Sequence, residues 1–134
     1  MNILLVDDDA MVRQTLKFGL EAAGFSVLEA ANGRECLDVL DAESVDVIVT
    51  DIVMPEFEGI ELITQLRTSG SKIPIVAMTG GSLNPHITSA VRASEIYLKT
   101  ARVLGATRTL TKPFKIATLL AEIRACLTAP DVAA

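Results

Sequence analysis

Short runs of apolar residues alternate along the chain with longer stretches in which apolar residues recur every three or four positions. The short runs are typical of strands that are buried on both faces, and the longer stretches have the period of an amphipathic helix. Turn residues such as Asn, Gly, Ser and Pro separate the two patterns. The pattern predicts five strands, which lie within Asn2–Asp9, Phe25–Ala30, Val45–Asp51, Ile73–Met78 and Thr107–Thr111.

Five stretches with helical spacing follow these strands. In four of them the apolar residues that define one helical face are Met11, Val12, Leu16, Leu20 and Ala23 in the first, Cys36, Leu37 and Leu40 in the second, Ile60, Ile63 and Leu66 in the third, and Ile116, Leu119, Leu120, Ile123 and Leu127 in the last. The fourth helix is predicted over Asn84–Leu104, since Pro85 is tolerated near a helix start. Gly24 and Gly105 are the predicted stops of the first and fourth helices.

The alternation of strand and helix favours a parallel sheet with helices on both faces, because neighbouring parallel strands need a crossover connection. At 134 residues the chain fits one domain with a substantial buried core. We assign residues 1–128 to this domain and residues 129–134 to a short C-terminal tail. The predicted fold class is therefore α/β.

Acidic residues directly follow the first strand, at Asp7–Asp9. One carboxylate is enough to cap the next helix, and we assign that role to Asp9. The other like charges would repel one another and raise their own pKa values unless a cation or a basic side chain lies among them. Asp51, Thr79 and Lys112 stand at or next to the ends of later strands, where open parallel sheets bind their ligands. We expect one crevice that collects these side chains.

Composition limits the partners of the protein. Half of the residues are hydrophobic and 4% are aromatic, which predicts an aliphatic core, and the net charge of −5 provides no electrostatic footprint for nucleic acid or an anionic membrane surface. No apolar run reaches the ~18 residues of a membrane span, and the N-terminus lacks a signal-peptide pattern. We expect a cytoplasmic protein that binds neither nucleic acid nor membrane.

Other kinds of site are not favoured by the sequence. The first turn lacks G-x-G-x-x-G, and its acids would repel a pyrophosphate, which argues against dinucleotide binding. Cys36 and Cys126 lie far apart and in no metal-binding spacing. We expect both cysteines to pack as small apolar residues in a reduced compartment.

Four motifs at successive strand ends resemble those of bacterial response-regulator receiver domains. They are V-D-D-D, T-D-I-V-M-P-E-F-E-G, V-A-M-T-G and L-T-K-P-F, and they span nearly the whole chain in order. The resemblance implies a flavodoxin-like, doubly wound parallel sheet of five strands in the order 2-1-3-4-5 with five helices. We adopt that strand order from the resemblance.

The resemblance also implies a set of site residues. Asp51 resembles the phosphoacceptor, and Asp7 and Asp8 resemble the acidic pair that holds Mg²⁺, Asp8 directly and Asp7 through water. The backbone carbonyl of Val53 resembles the third direct protein ligand of the metal. Mg²⁺ suits these groups because it is a hard cation that prefers carboxylate, carbonyl and water oxygens.

By the same resemblance, Lys112 is expected to pair with the phosphoryl oxygens as a point charge, and Thr79 to offer its hydroxyl to the same group. Two features depart from the family pattern. Thr109 stands where many receivers have an aromatic residue that changes rotamer on activation. The segment between Thr79 and Lys112 is also longer than is usual, by about three helical turns.

These observations predict a stand-alone receiver that is phosphorylated on Asp51 by a histidine kinase or a histidine phosphotransfer protein and acts through an effector protein. It is expected to catalyse only its own phosphorylation and dephosphorylation. A haloacid-dehalogenase-like phosphohydrolase that uses Asp7 as its nucleophile is one alternative, because a second acid follows two residues on. A pseudo-receiver that binds a partner without being phosphorylated is the other.

Overall fold

Five strands form a parallel sheet in the computed structural model, which describes residues 1–52, 59–79 and 99–128. They are β1 (Asn2–Val6), β2 (Ser26–Ala30), β3 (Val47–Asp51), β4 (Ile75–Thr79) and β5 (Arg108–Thr111). The strand order is β2-β1-β3-β4-β5, and all neighbouring pairs are parallel. The predicted α/β class and the doubly wound order 2-1-3-4-5 are therefore confirmed.

Helices connect the strands. They are α1 (Ala10–Ala22), α2 (Gly33–Ala42), α3 (Gly59–Thr68), α4, which is described over residues 99–104, and α5 (Ile116–Thr128). The predicted beginning of the fourth helix at Asn84 and the tail at 129–134 lie outside the described residues. Within the ranges that are described, no helix is both long enough and apolar enough to cross a membrane.

The strands divide the core into two layers. Alternate side chains of a strand point to opposite faces of a sheet, and Leu4 and Val6 of β1 pack with α2 and α3 while Ile3 and Leu5 pack with α1 and α5. All five residues of β3 and of β4 are buried. This explains the continuous apolar runs in the sequence, because a central strand covered on both faces needs no polar side.

Strand β4 begins and ends later than the sequence predicts. The prediction was Ile73–Met78, whereas the ladder runs from Ile75 to Thr79, which pairs with Thr111 of β5. Pro74 precedes the strand, and a proline cannot donate a ladder hydrogen bond. Thr79 is the last residue of the strand, and it is 1% exposed.

The predicted apolar faces are right in the middle of the helices and wrong near some helix ends. Leu20 of α1 is fully buried, but Met11, in the first turn of the same helix, is 72% exposed. Ile116 at the start of α5 is exposed as well, and Leu62 of α3 is buried although it was not predicted to be. Periodicity alone does not show how far the neighbouring elements extend beneath a helix end.

Caps define several element boundaries. The side chain of Asp9 accepts hydrogen bonds from the backbone N–H groups of Met11 and Val12, at 2.9 and 3.4 Å, which confirms its predicted role as the N-cap of α1. Gly24 and Gly105, the predicted helix stops, have φ values of 97° and 126°. A residue with a side chain rarely adopts this backbone conformation, so glycine suits these positions.

Both cysteines are buried free thiols, as predicted. Burial raises the pKa of the Cys36 thiol to about 12. Burial also raises the pKa of Cys126, with smaller and opposite effects from Arg108 and Glu122. Neither thiol is therefore ionised near neutral pH, and both behave as small apolar groups.

Candidate functional site

The predicted site residues gather at the carboxyl edge of the sheet. Asp7 directly follows β1, Asp51 ends β3, Thr79 ends β4, and Lys112 directly follows β5. Because β1, β3, β4 and β5 are consecutive neighbours in the sheet, their carboxyl ends lie side by side. The strand order reverses at β1, because β2 lies on one side of β1 and β3, β4 and β5 lie on the other. Ligand crevices in folds of this kind form at that position.

Three carboxylates form a cluster at this edge. One oxygen each from Asp7, Asp8 and Asp51 lies within 4.8 Å of the others. The residues differ in burial, since Asp7 is 1% exposed and Asp51 7%, whereas Asp8 lies at the surface. Val53, the fourth predicted metal ligand, lies outside the described residues.

Lys112 supplies the cation of the cluster. Its Nζ donates to Oδ2 of Asp7 at 2.9 Å and to Oδ2 of Asp51 at 3.1 Å. Burial alone lowers the pKa of Lys112, but the hydrogen bonds and charges of the two aspartates outweigh that effect, so its pKa is raised overall. The ammonium is therefore charged at neutral pH, and it offsets much of the repulsion between the two buried carboxylates.

Thr79 is held beside Lys112 through the backbone. The backbone N–H of Lys112 donates to the carbonyl of Thr79 at 2.8 Å, which extends the β4–β5 ladder by one bond.

Thr109, the departure from the family pattern, is a half-buried residue of β5 that pairs with Ala77. The peptide bond between Lys112 and Pro113 is cis.

The start of α3 packs against the end of β3. The backbone N–H of Gly59 donates to the carbonyl of Ile52 at 2.7 Å. A Cβ atom at Gly59 would lie 2.3 Å from the carbonyl oxygen of Asp51 and 2.7 Å from Cα of Ile52. Only glycine allows this approach. The sequence shows the glycine, but its contact with the end of β3 cannot be predicted from the sequence.

Backbone and side-chain contacts also hold the acidic turn after β1. The N–H of Asp7 donates to the carbonyl of Ala30 at 3.1 Å, and Oδ1 of Asp7 accepts from the N–H of Asp9 at 2.9 Å. Arg13 of α1 donates from Nη1 to the backbone carbonyl of Asp7 at 2.6 Å. Sequence reasoning missed Arg13, although a basic residue one helical turn after the cap was a signal that could have found it.

The strand order and the acidic crevice together define the class of doubly wound α/β proteins that bind ligands at the carboxyl edge of a parallel sheet. Residues 3–124 match the family described as "Response regulator receiver domain". The chain therefore belongs to the response-regulator receiver domain family, as the motifs predict. As a family member it is a receiver domain of a response regulator in two-component signalling, a family that interacts with histidine kinases and effectors.

Relatives and solved structures agree with this assignment. The chain is 37% identical to the response regulator MprA of Mycolicibacterium vanbaalenii over 98% of its own length and 53% of that protein. Chemotaxis response regulator CheY4 of Vibrio cholerae superposes with a TM-score of 0.75 at 30% identity, covering 94% of this chain and 98% of that one. Full-length FixJ from B. japonicum superposes with a TM-score of 0.78 at 33% identity, covering 96% of this chain and 60% of that one.

The chain spans about half the length of the curated relatives that it matches. Whether this receiver acts alone therefore stays a prediction. The roles of the individual site residues also stay predictions, although the structure brings Asp7, Asp8, Asp51 and Lys112 together.

Proposed function

We propose that this receiver accepts a phosphoryl group on Asp51 from the phosphohistidine of a histidine kinase or phosphotransfer protein and signals through an effector protein. The observation that carries the proposal is the position of Lys112, whose Nζ contacts both Asp51 and Asp7 at the crevice. A carboxylate at a ligand-binding edge, with a lysine ammonium beside it, is suited to attack an anionic phosphoryl group.

In the proposed step, a carboxylate oxygen of Asp51 forms a bond to phosphorus while the bond from phosphorus to the donor imidazole nitrogen breaks. The imidazole leaves with the electron pair and is protonated. Phosphoryl transfer passes through a loose transition state, so positioning and charge stabilisation supply most of the catalysis. Lys112 is already within hydrogen-bond distance of Asp51 and can pair with the phosphoryl oxygens.

The donor set fits Mg²⁺. Asp7, Asp8 and Asp51 offer carboxylate oxygens within 4.8 Å of one another, and hard oxygen ligands are those that Mg²⁺ prefers. When bound, Mg²⁺ would neutralise negative charge on the phosphoryl group and the carboxylates. Asp8 is the exposed member of the cluster, so it is the carboxylate most accessible to a hydrated cation.

The hydrolase alternative has less support from the geometry. Asp7 is almost completely buried, and both of its carboxylate oxygens are engaged, Oδ1 by the N–H of Asp9 and Oδ2 by Lys112. An attack by Asp7 would have to give up the bond from the N–H of Asp9, which holds the acidic turn in place. The pseudo-receiver alternative does not account for a cluster of three carboxylates whose donor set fits Mg²⁺.

The first prediction tests the phosphoacceptor. Acetyl phosphate with Mg²⁺ should add one phosphoryl group to the protein, and Asp51→Asn should abolish the addition, because the amide lacks the anionic oxygen. Intact mass spectrometry measures the addition, and Asp38→Asn, at an exposed position of α2, is the matched control. Phosphate retained by Asp51→Asn, with Asp7 as the modified residue, would favour the hydrolase instead.

We further infer that the protein is no general phosphatase and acts in the cytoplasm without binding nucleic acid or membrane. The net charge of −5 supports the lack of anionic partners. The protein-dependent release of phosphate from acetyl phosphate should be lost in Asp51→Asn, which leaves only the spontaneous hydrolysis. Sustained turnover of an unrelated phosphomonoester by the parent protein would contradict this inference.

A further inference from the structure

We propose that Arg13 is a positioning residue, which holds the peptide between Asp7 and Asp8 so that the Asp8 carboxylate is presented to Mg²⁺. The inference rests on the proposed function and deepens it. Its basis is the 2.6 Å hydrogen bond from Nη1 of Arg13 to the backbone carbonyl of Asp7. The Arg13 side chain is 17% exposed, so it is largely fixed by its surroundings.

The hydrogen bond from Arg13 holds the peptide group that leads into Asp8. The carbonyl of Asp7 and the N–H of Asp8 share one rigid peptide plane, so holding the carbonyl also sets the direction in which the Asp8 backbone leaves. The N–H of Asp7 is bonded to Ala30, and the N–H of Asp9 is bonded to Asp7. Arg13 thus adds a third contact, at the residue before the exposed Asp8, to the backbone bond from Asp7 to Ala30 and the bond from the N–H of Asp9 to Oδ1 of Asp7.

Arg13 is itself oriented from a second side. Its Nε donates to Oε1 of Glu29 on β2 at 3.3 Å, while Oε2 of Glu29 accepts from Nζ of Lys17 at 3.4 Å. A guanidinium can serve two acceptors in fixed directions with Nε and Nη1, whereas a lysine ammonium is a single point charge on a flexible stem. The arrangement therefore needs arginine at this position, and lysine would not replace it.

Electrostatics and positioning predict opposite effects of removing Arg13. A positive charge near three carboxylates disfavours a second cation, so the loss of that charge by itself tightens Mg²⁺ binding. Loss of the anchor weakens Mg²⁺ binding, because Asp8 is less well placed. Lys17 offers a matched control, since it is a cation on the same helix that contacts the same Glu29.

The test is the Mg²⁺ dissociation constant of the full chain, measured by isothermal titration calorimetry for the parent, Arg13→Met and Lys17→Met. We expect Arg13→Met to raise the constant about tenfold, at the lower end of the range for outer partners of metal ligands. We expect Lys17→Met to leave it unchanged or lower it slightly. Arg13→Lys, which keeps the charge and one donor, should fall between the parent and Arg13→Met.

A second measurement separates positioning from general damage. The Mg²⁺ concentration that half-saturates phosphorylation by acetyl phosphate should rise in Arg13→Met, whereas the rate at saturating Mg²⁺ should equal that of the parent. A general loss of structure would lower the rate at all Mg²⁺ concentrations. If circular dichroism shows that Arg13→Met does not fold, the test uses Arg13→Lys. A dissociation constant above that of the parent supports the role of Arg13, and a constant equal to it or below it overturns that role.

Two failures are distinguishable. A parent protein that binds Mg²⁺ and is phosphorylated, together with an Arg13→Met variant whose dissociation constant equals or falls below that of the parent, overturns the role of Arg13 alone. A parent protein that neither binds Mg²⁺ nor is phosphorylated overturns the proposed function and this inference together.

Discussion

The ammonium of Lys112 shows how much one residue contributes to the site. It lies between Oδ2 of Asp7 and Oδ2 of Asp51, two buried carboxylates at the ends of β1 and β3, where the strand order of the sheet reverses. Without this cation, both carboxylates would remain close together in a poorly solvated crevice. Removing one partner of such a group costs more than the group contributes as a whole, because it leaves an unpaired buried charge.

Lys112→Met is therefore expected to destabilise the Mg²⁺-free protein at pH 7 by about 2 kcal/mol, less than the 3–5 kcal/mol of fully buried pairs because the side chain is 20% exposed. Urea denaturation measures this loss. The stabilisation by Lys112 is complete below the ordinary lysine pKa and is lost as the pH rises through its raised folded pKa. The variant should consequently lose less stability than the parent above about pH 10.5. Equal alkaline loss in both proteins would contradict the raised pKa.

At the scale of elements, the site depends on where strands end and helices begin. Strand β3 ends at Asp51, and α3 begins at Gly59, whose backbone contacts the end of that strand directly. All three near contacts of a Cβ atom at Gly59 would be with backbone atoms of Asp51 and Ile52, which cannot move aside without displacing Asp51. The helix start therefore helps to fix the position of the proposed phosphoacceptor.

Gly59→Ala should lower the free energy of unfolding by about 1–3 kcal/mol, as overpacked sites do, and slow phosphorylation of Asp51. Thermal denaturation and the rate with acetyl phosphate measure the two effects. The control is Gly19→Ala in α1, where the added Cβ would meet side-chain atoms of the partly exposed Ile116, the nearest at 2.6 Å, so that no backbone atom blocks it. Alanine also favours the helix interior by roughly 1 kcal/mol, so the control should be nearly neutral. A parent-like phosphorylation rate in Gly59→Ala would rule out this coupling.

At the scale of the whole molecule, negative charge accumulates at one edge of a protein with a net charge of −5. One lysine contacts two of the clustered carboxylates, and Asp8 adds a third charge at the surface. The fold therefore maintains an electrostatic cost in the Mg²⁺-free state, and a divalent cation would remove it. Such a cost is typical of sites that are shaped for a ligand more than for stability.

Asp8→Asn should raise the melting temperature of the Mg²⁺-free protein by about 2–4 °C at low salt, because it relieves repulsion with Asp7 and Asp51. The gain should shrink in 1 M salt, where screening is strong. Mg²⁺ should stabilise the parent and have much less effect on the variant. Differential scanning calorimetry measures both, with Asp38→Asn as a control for net charge. A lower melting temperature of Asp8→Asn at low salt would show that the acidic cluster is not repulsive.

The sequence by itself determined the properties that depend on local chemistry and on period. Alternating apolar runs and helical faces predict the α/β class, and the capping role of Asp9 follows from one residue and its neighbours. The motifs at the strand ends indicate the family and the acidic crevice, because parallel strands must end along a common edge. These features do not depend on the exact distance between elements.

Only the tertiary structure decided which groups touch. Lys112 and Asp7 are 105 positions apart in the chain, and their contact depends on the packing of β5 and β1 into one sheet. The bond from Arg13 to the Asp7 carbonyl, the outward position of Met11 and the contact of Gly59 with Asp51 are of the same kind. Each depends on distances and angles between elements, and local hydrophobic patterns carry no information about those.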